Sequence, residues 1–223
     1  MKIVTWNVAG GDKRSALSGV ETDLLLLQER RKADCCDGEE WVGSLEAKGI
    51  SARSGGGFSI RRAVDDLDLP RYFVPYQVSG GESFQLIDVW AINEGEDRYV
   101  RGTVRAVDLW AERIAAQPTV IAGDFNANRI WDPEHPSDRN FSALVRRLEE
   151  LGLVSAYHAF FGEEFGAETR PTFFLYRHAA KAYHLDYCFI PRAWLPRLRA
   201  VEVGTHDAWS RFSDHMPVTV VLE

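Results

Sequence analysis

The sequence predicts an α+β sandwich, two packed sheets flanked by helices. Three observations point to it. Many short apolar or β-branched runs alternate with polar, Gly-bearing loops, in the manner of strands and turns. Helical patterns fall between and outside these runs without the strict strand-helix alternation of a doubly wound parallel fold. The 223 residues show no repeat, linker or low-complexity tract and fit one domain, 1–223, large enough to bury a core unaided.

In chain order, the apolar-rich opening Met1-Lys2-Ile3-Val4-Thr5-Trp6 gives a strand over 2–8, and the four leucines Leu24-Leu25-Leu26-Leu27 give 24–28. A helix is expected over 39–48, then strands over 57–61, 72–78 and 84–91, several of them rich in β-branched or aromatic residues. The clearest helix covers 96–116, where Val100, Val104, Val107, Trp110 and Ile114 recur every three or four residues. On another side of it, Arg98, Arg101 and Arg105 form a basic stripe that reads as a solvated face paired with Glu94, Asp97 and Asp108. Pro118 closes that helix, and Thr119-Val120-Ile121-Ala122 enters the sheet as a strand over 118–123 that delivers Asp124 at its exit. A helix over 138–151 and strands over 171–176, 184–190, 199–204 and 217–222 complete the chain.

The composition is 45% hydrophobic, 12% aromatic and 26% charged, which is globular. No segment approaches the roughly 18 uninterrupted apolar residues of a membrane helix. The amino terminus runs straight into a strand pattern, with no secretory leader pattern. Cys35, Cys36 and Cys188 are an odd count with two neighbours that bridge each other only under strain, so they read as reduced thiols and place the protein in the cytoplasm. A net charge of −7 has the wrong sign for coating nucleic acid by nonspecific attraction, so a polyanion must be met locally.

Polar residues stand at the ends of the apolar runs. Asn7 closes the first, Glu29 follows Leu27-Gln28, Asp124 and Asn126 lie in Ile121-Ala122-Gly123-Asp124-Phe125-Asn126, and Ser213-Asp214-His215 precedes the last strand. Loops at one edge of a sandwich gather residues that are distant in sequence. Four such sites suggest one metal-assisted hydrolytic centre. No Gly-x-Ser-x-Gly elbow or local cysteine nucleophile motif competes with it.

The strings Thr5-Trp6-Asn7, Leu27-Gln28-Glu29, Gly123-Asp124-Phe125-Asn126, His184-Leu185-Asp186-Tyr187 and Ser213-Asp214-His215-Met216-Pro217 resemble, in order and over nearly the whole chain, the endonuclease/exonuclease/phosphatase superfamily. Its members include DNase I-like nucleases, AP endonucleases, deadenylases, sphingomyelinases and inositol-phosphate phosphatases. The resemblance implies a four-layer α/β/β/α sandwich of two mainly antiparallel sheets. It also implies Mg²⁺, with Mn²⁺ as a substitute, held principally by Glu29, with Asn7 binding it directly or through water and Asp214 beside the ion or its waters. Asp124 would orient or deprotonate the attacking water, and Asn126 would donate its amide to a phosphate oxygen. His215 would contact the scissile phosphate, oriented by Asp186.

The match departs from the family at one place. Many relatives carry a His or Tyr after the strand that here reads Phe84-Gln85-Leu86-Ile87-Asp88-Val89-Trp90-Ala91-Ile92-Asn93, and this chain has neither there. Asn93 and Tyr99 are the candidate substitutes. The chain is short for the superfamily, and with 30–40, 62–70 and 128–138 its longest candidate loops, it encodes the substrate poorly. Within the last of them Arg129 and Trp131 either stack a base and clamp a phosphate, or pack under the loop. Arg177, His178 and Lys181 are further possible phosphate contacts. The expected activity is Mg²⁺-dependent hydrolysis of phosphodiesters in nucleic acid. The alternatives are a small phosphorylated molecule or lipid headgroup as substrate, or a non-catalytic binding protein on the same scaffold. The partner is then nucleic acid or another phosphate ester, with no membrane span and no obligate protein partner.

Overall fold

The computed structural model describes residues 1–44, 47–63 and 67–223. The first sheet contains β1 (Lys2–Asn7), β2 (Leu24–Arg31), β3 (Glu40–Gly43), β4 (Lys48–Ser54), β13 (Leu198–Val203) and β14 (Val218–Leu222), in the order β13-β14-β1-β2-β4-β3. The second contains β5 (Ser59–Arg62), β6 (Phe73–Ser79), β7 (Phe84–Trp90), β8 (Thr119–Asp124), β9 (Leu153–Ser155) and β12 (Asp186–Pro191), in the order β5-β6-β7-β8-β12-β9. A two-stranded ribbon joins β10 (Phe173–Phe174) to β11 (Ala182–Tyr183). Within the two sheets β1 runs parallel to β2 and β7 to β8, and the other pairs are antiparallel.

The four layers follow from where the apolar faces go. Ile3, Leu24 and Leu26 of the first sheet meet Tyr76, Leu86, Val120 and Cys188 of the second in the core between the sheets. The outer face of the second sheet is covered by helices α2 (Val100–Ala116) and α3 (Phe141–Glu150), whose Val104, Trp110, Ile114, Leu144 and Leu148 pack on Ile87, Ile121 and Phe189. Helix α4 (Ala156–Phe161) follows β9 directly. The short helices α1 (Arg14–Leu17) and α5 (His206–Trp209) lie over the outer face of the first sheet, where Ala16, Leu17 and Trp209 join Val4, Trp6, Leu25 and Leu27. This explains the four leucines of β2. Alternate residues point to opposite faces of a strand, and here both faces are buried.

The structure corrects several expectations. The segment 39–48 is no helix: β3 and β4 form a hairpin, and residues 45–46 of that segment lie outside the described residues. Glycine decides it. Gly43 and Gly49 face each other across the pair, and a Cβ on Gly49 would stand 2.2 Å from the Val42 carbonyl oxygen, so the backbone approach there belongs to a sheet. The helix expected over 96–116 starts at Val100, after a 3₁₀ turn over Gly95–Asp97. The strand expected over 171–176 shrinks to two residues, because Tyr176 turns left-handed at φ 56°. β9 was not foreseen, its three residues being too short for a periodic signal. In the expected loops, β2 extends to Arg31, residues 64–66 of 62–70 lie outside the described residues, and Arg129–Glu134 of 128–138 coil into a 3₁₀ turn. Of the basic stripe, Arg105 pairs with Asp97, whereas Asp108 is taken by Arg147 from α3.

Candidate active site

The strand ends bring the polar residues together by register. Asp186, first in β12, is the direct cross-strand partner of Asp124, last in β8, and both are fully buried. His215 lies between them, its Nδ1 2.9 Å from Asp186 Oδ2 and its Nε2 3.9 Å from Asp124 Oδ2. Several contacts hold the imidazole. Trp6 Nε1 donates to the His215 carbonyl at 2.9 Å, the His215 amide donates to Ser213 Oγ at 3.0 Å, and Ser213 Oγ donates to the Asn7 carbonyl at 2.7 Å. Asp186 is fixed in turn by Thr172, whose hydroxyl accepts the amides of Leu185 and Asp186 at 2.9 and 3.0 Å.

Asp124 is also the hub of an amide network. Its Oδ2 accepts from Asn7 Nδ2 at 2.9 Å and from Asn126 Nδ2 at 3.0 Å, and its Oδ1 accepts the Asn126 backbone amide at 2.9 Å. Asn126 sits at φ 46°, a left-handed conformation that Asn tolerates, so the Asx turn is itself what aims the side chain back at the acid. Gly123 is required before it: at φ 144°, a Cβ there would stand 1.9 Å from the Val89 carbonyl oxygen of the neighbouring strand.

Glu29 reaches the same place through a bulge. The β2–β4 register shifts between Leu27 and Arg30, and Glu29 adopts φ 56°. Gln28 follows Leu24 and Leu26 into the core between the sheets, where its amide donates to Asp88 at 2.7 Å, and the shift then turns Glu29 to the edge. Glu29 Oε1 then accepts from Asn7 Nδ2 at 3.2 Å, and Oε2 accepts from Lys48 of β4. Asn7 thus bridges Glu29 and Asp124 with its NH₂, while its carbonyl oxygen accepts the Ala9 amide at 3.0 Å. Asp214 is half-buried, its Oδ1 accepts from Ser213 Oγ at 3.5 Å, and its charge is felt by the His215 imidazole.

Burial and charge set the protonation. Burial pushes the Asp124 carboxyl up, to about 7, and the neighbouring Asp186 adds to it against the pull of His215 and the Asn7 amide. Burial works against a charge on His215, but Asp186 and then Asp124 outweigh it and raise the imidazole to about 10. His215 therefore stays an imidazolium over the neutral range, flanked by two acids.

Asp124, Asp186 and His215 offer ligand atoms within 4.8 Å of one another. The imidazole, however, already makes a hydrogen bond to Asp186, and the carboxylates of Glu29, Asp124 and Asp214 are hard oxygen donors, whereas Asn7 and Asn126 turn their NH₂ groups to these acids and would bind a cation only with the amide turned over or through water. That set fits Mg²⁺ or Mn²⁺ and would not select a softer ion.

The remaining expected residues are more scattered. Asn93 is exposed two residues beyond Ala91, whose carbonyl accepts from Asn126 at 3.0 Å. Tyr99 is 40% exposed at the start of α2. Trp131 packs on Tyr183, with ring centroids 5.3 Å apart, and Phe173 bridges onward to His215 at 4.6 Å. Arg129 is exposed and lines a cavity of about 410 Å³ that contains none of the acids named above. Arg177, His178 and Lys181 are exposed on the hairpin between β10 and β11. His206 lies in α5 and contacts the Arg177 carbonyl. Two residues of the site carried no signal in the sequence: Lys48, hidden in the expected helix, and Trp90, the register partner of Asp124 at the end of β7.

With this geometry in view, the profile described as the Endonuclease/Exonuclease/phosphatase family matches residues 4–215. None of the curated proteins matches the sequence. Among solved structures, a 3′ phosphatase, NExo from Neisseria, in a variant bound to product DNA hairpin, is similar with TM-score 0.73 and 20% identity, covering 100% of this chain and 99% of its own. The 3′-5′ exonuclease NExo from Neisseria meningitidis is similar with TM-score 0.72 and 19% identity, covering 100% of both chains. The AP endonuclease LMAP from Leishmania major is similar with TM-score 0.75 and 15% identity, covering 100% of this chain and 87% of its own.

Proposed function

The chain belongs to the endonuclease/exonuclease/phosphatase family, and from that premise we propose that it is a Mg²⁺-dependent phosphoesterase that cuts phosphodiester bonds in nucleic acid by in-line attack of water. Residues 1–223 act as one catalytic domain, in the cytoplasm, where Cys35, Cys36 and Cys188 remain free thiols. The observation that carries the reading is the cross-strand pairing of Asp124 with Asp186 under His215, beside Glu29.

Glu29, with Asn7 and Asp214, would hold the cation, which would supply charge neutralisation at the phosphoryl oxygens. Asp124 orients the attacking water and accepts its proton; burial, by raising this carboxyl, makes it a better base at neutral pH. Asn126 donates to a phosphate oxygen. The His215 imidazolium, kept charged by Asp186, stabilises the extra negative charge of the pentavalent transition state. A product DNA hairpin is named with one similar structure, the 3′ phosphatase, and two others are described as an exonuclease and an AP endonuclease, which favours nucleic acid as the substrate. The net charge of −7 favours the second reading, a small phosphorylated molecule or lipid headgroup.

Hydrolysis should be measured on single- and double-stranded DNA, RNA, an abasic duplex, bis-p-nitrophenyl phosphate and inositol phosphates, with Mg²⁺, Mn²⁺ or EDTA and with Glu29→Ala alongside. Turnover of an oligonucleotide that needs the metal and is lost in Glu29→Ala supports the proposal. Turnover confined to inositol phosphates selects the second reading, and activity unchanged by EDTA refutes both.

A further inference from the structure

Resting on the reading that this centre hydrolyses nucleic acid, we infer that the cavity beside it, walled by Trp90 on Tyr72, receives an unpaired nucleoside next to the scissile phosphate, so that the substrate class is single-stranded or frayed nucleic acid rather than an intact duplex. The cavity measures about 260 Å³ and is lined by Arg71, Tyr72, Trp90, Ala91, Glu94 and Tyr99, among others.

Its wall is joined to the catalytic acids on both sides. Trp90 is the register partner of Asp124, the Ala91 amide donates to the Asp124 carbonyl at 2.8 Å, and Asn126 donates to the Ala91 carbonyl at 3.0 Å. On the other side, the Tyr72 hydroxyl donates to the Lys48 carbonyl at 2.8 Å, and the Lys48 ammonium contacts Glu29. None of the acids lines the cavity itself, but Trp90 and Ala91 belong both to its wall and to the strand end that holds Asp124 and Asn126, and this shared wall is what would put a nucleoside beside a phosphate at the acids.

The chemistry of the wall suits a base. The Trp90 ring lies on Tyr72 with centroids 4.8 Å apart and planes 31° from parallel, and the Trp90 amide donates to the Tyr72 carbonyl at 2.9 Å. Tyr72 is buried and Trp90 half-buried, so the indole is backed by the core between the sheets while Trp90 remains part of the cavity wall. Arg71 extends the platform, its guanidinium 5.9 Å from the Tyr72 ring centre and 3.0 Å from Glu94. An indole is a donor with no proton to give in the ordinary pH range. At the strand end where many relatives carry His or Tyr, Trp90 thus offers a stacking surface in place of an acid. Aromatic stacking binds any base whose face is free of its neighbours, as in an unpaired strand, and a volume of about 260 Å³ holds one nucleoside.

The test uses the full chain in EDTA and a short single strand carrying 2-aminopurine in place of adenine, whose fluorescence falls on stacking, with the same strand in a matched duplex for comparison. The proposal expects quenching and tighter binding of the single strand by the unmodified protein. It expects Trp90→Leu to raise Kd about tenfold and abolish the quench, with Trp90→Phe recovering most of both. With Mg²⁺ restored, the preference for single strand over duplex should fall towards one in Trp90→Leu. Unchanged quenching and preference in a folded Trp90→Leu would overturn the proposal while leaving nucleic-acid hydrolysis standing. If Trp90→Leu does not fold, the unmodified protein decides: absence of quenching, or preference for duplex, overturns it. Hydrolysis of small phosphate esters with no oligonucleotide cleavage would instead remove the reading on which it rests.

Discussion

The Lys48 ammonium donates to Oε2 of Glu29, so the acid best placed to hold a divalent cation faces a fixed positive charge from the neighbouring strand. The two side chains are 36% and 22% exposed, which screens the pair without abolishing it. A cation binding at Glu29 must displace or share with this ammonium.

Lys48→Met should therefore tighten binding of Mn²⁺. Removing a like charge at this partly exposed position is worth about 1 kcal/mol, or about fivefold in Kd. Isothermal titration with Mn²⁺ reads it directly. Weaker binding in the variant would mean that Lys48 organises the ligands rather than competing for them.

A bell-shaped pH profile for kcat/KM is expected, with an acid limb at or below about 7 from Asp124 and an alkaline limb near 10 from His215. His215 is raised from an ordinary value of 6.5, so the stability it contributes is fully present below that pH and is lost as pH rises through about 10. Asp186→Asn removes the largest support of the imidazolium. The alkaline limb should move towards neutral pH and the maximal rate fall by about 10²- to 10⁴-fold. A lowered rate with an unmoved alkaline limb would detach that limb from His215.

Gly123→Ala should destabilise the fold by about 3 kcal/mol, read from the urea midpoint. The new Cβ meets the Val89 carbonyl, and the backbone is held at φ 144°, a strained conformation for any side chain. Because β8 ends at Asp124, activity should fall even where the variant remains folded. Full activity would show that the approach of β7 to β8 relaxes without moving the acid.

Much of this was legible in the chain. Asn7, Glu29, Asp124 and His215 are polar residues that close or precede apolar runs, and a strand end is where a buried carboxylate has reason to be. The segment 39–48 misled because its local composition suits a helix, while the close approach of Gly43 to Gly49 that makes it a hairpin is a tertiary fact. Lys48 was hidden with it. Trp90 was passed over for another reason: a search for acids and bases overlooks an indole, and only the register with Asp124 brings it to the site. Arg129, a candidate substrate contact in the sequence, stands exposed on the 3₁₀ turn and lines a cavity of its own, a placement that only the folded chain shows.

Asp88 gives a last prediction, about the core rather than the chemistry. It is completely buried between the sheets, where its Oδ1 accepts from Gln28 while Oδ2, and the Tyr76 hydroxyl on the same face, have no hydrogen-bond partner among the described residues. Burial pushes its carboxyl up to about 8, so the folded protein keeps it neutral at pH 7. The unfolded chain releases that proton near 3.8, so folding takes up a proton between these values. Stability should then fall as pH rises from about 4 to about 8 and level off above, a cost on the order of several kcal/mol at about 1.4 kcal/mol per pH decade. Asp88→Asn is neutral at every pH and keeps an oxygen for Gln28. Its advantage over the unmodified protein should grow with pH, reaching about 1–3 kcal/mol at pH 9 once the cost of a new amide without an acceptor is subtracted. Urea melts at pH 5, 7 and 9 decide the matter: parallel curves for the two proteins would mean that Asp88 is ionised in the fold.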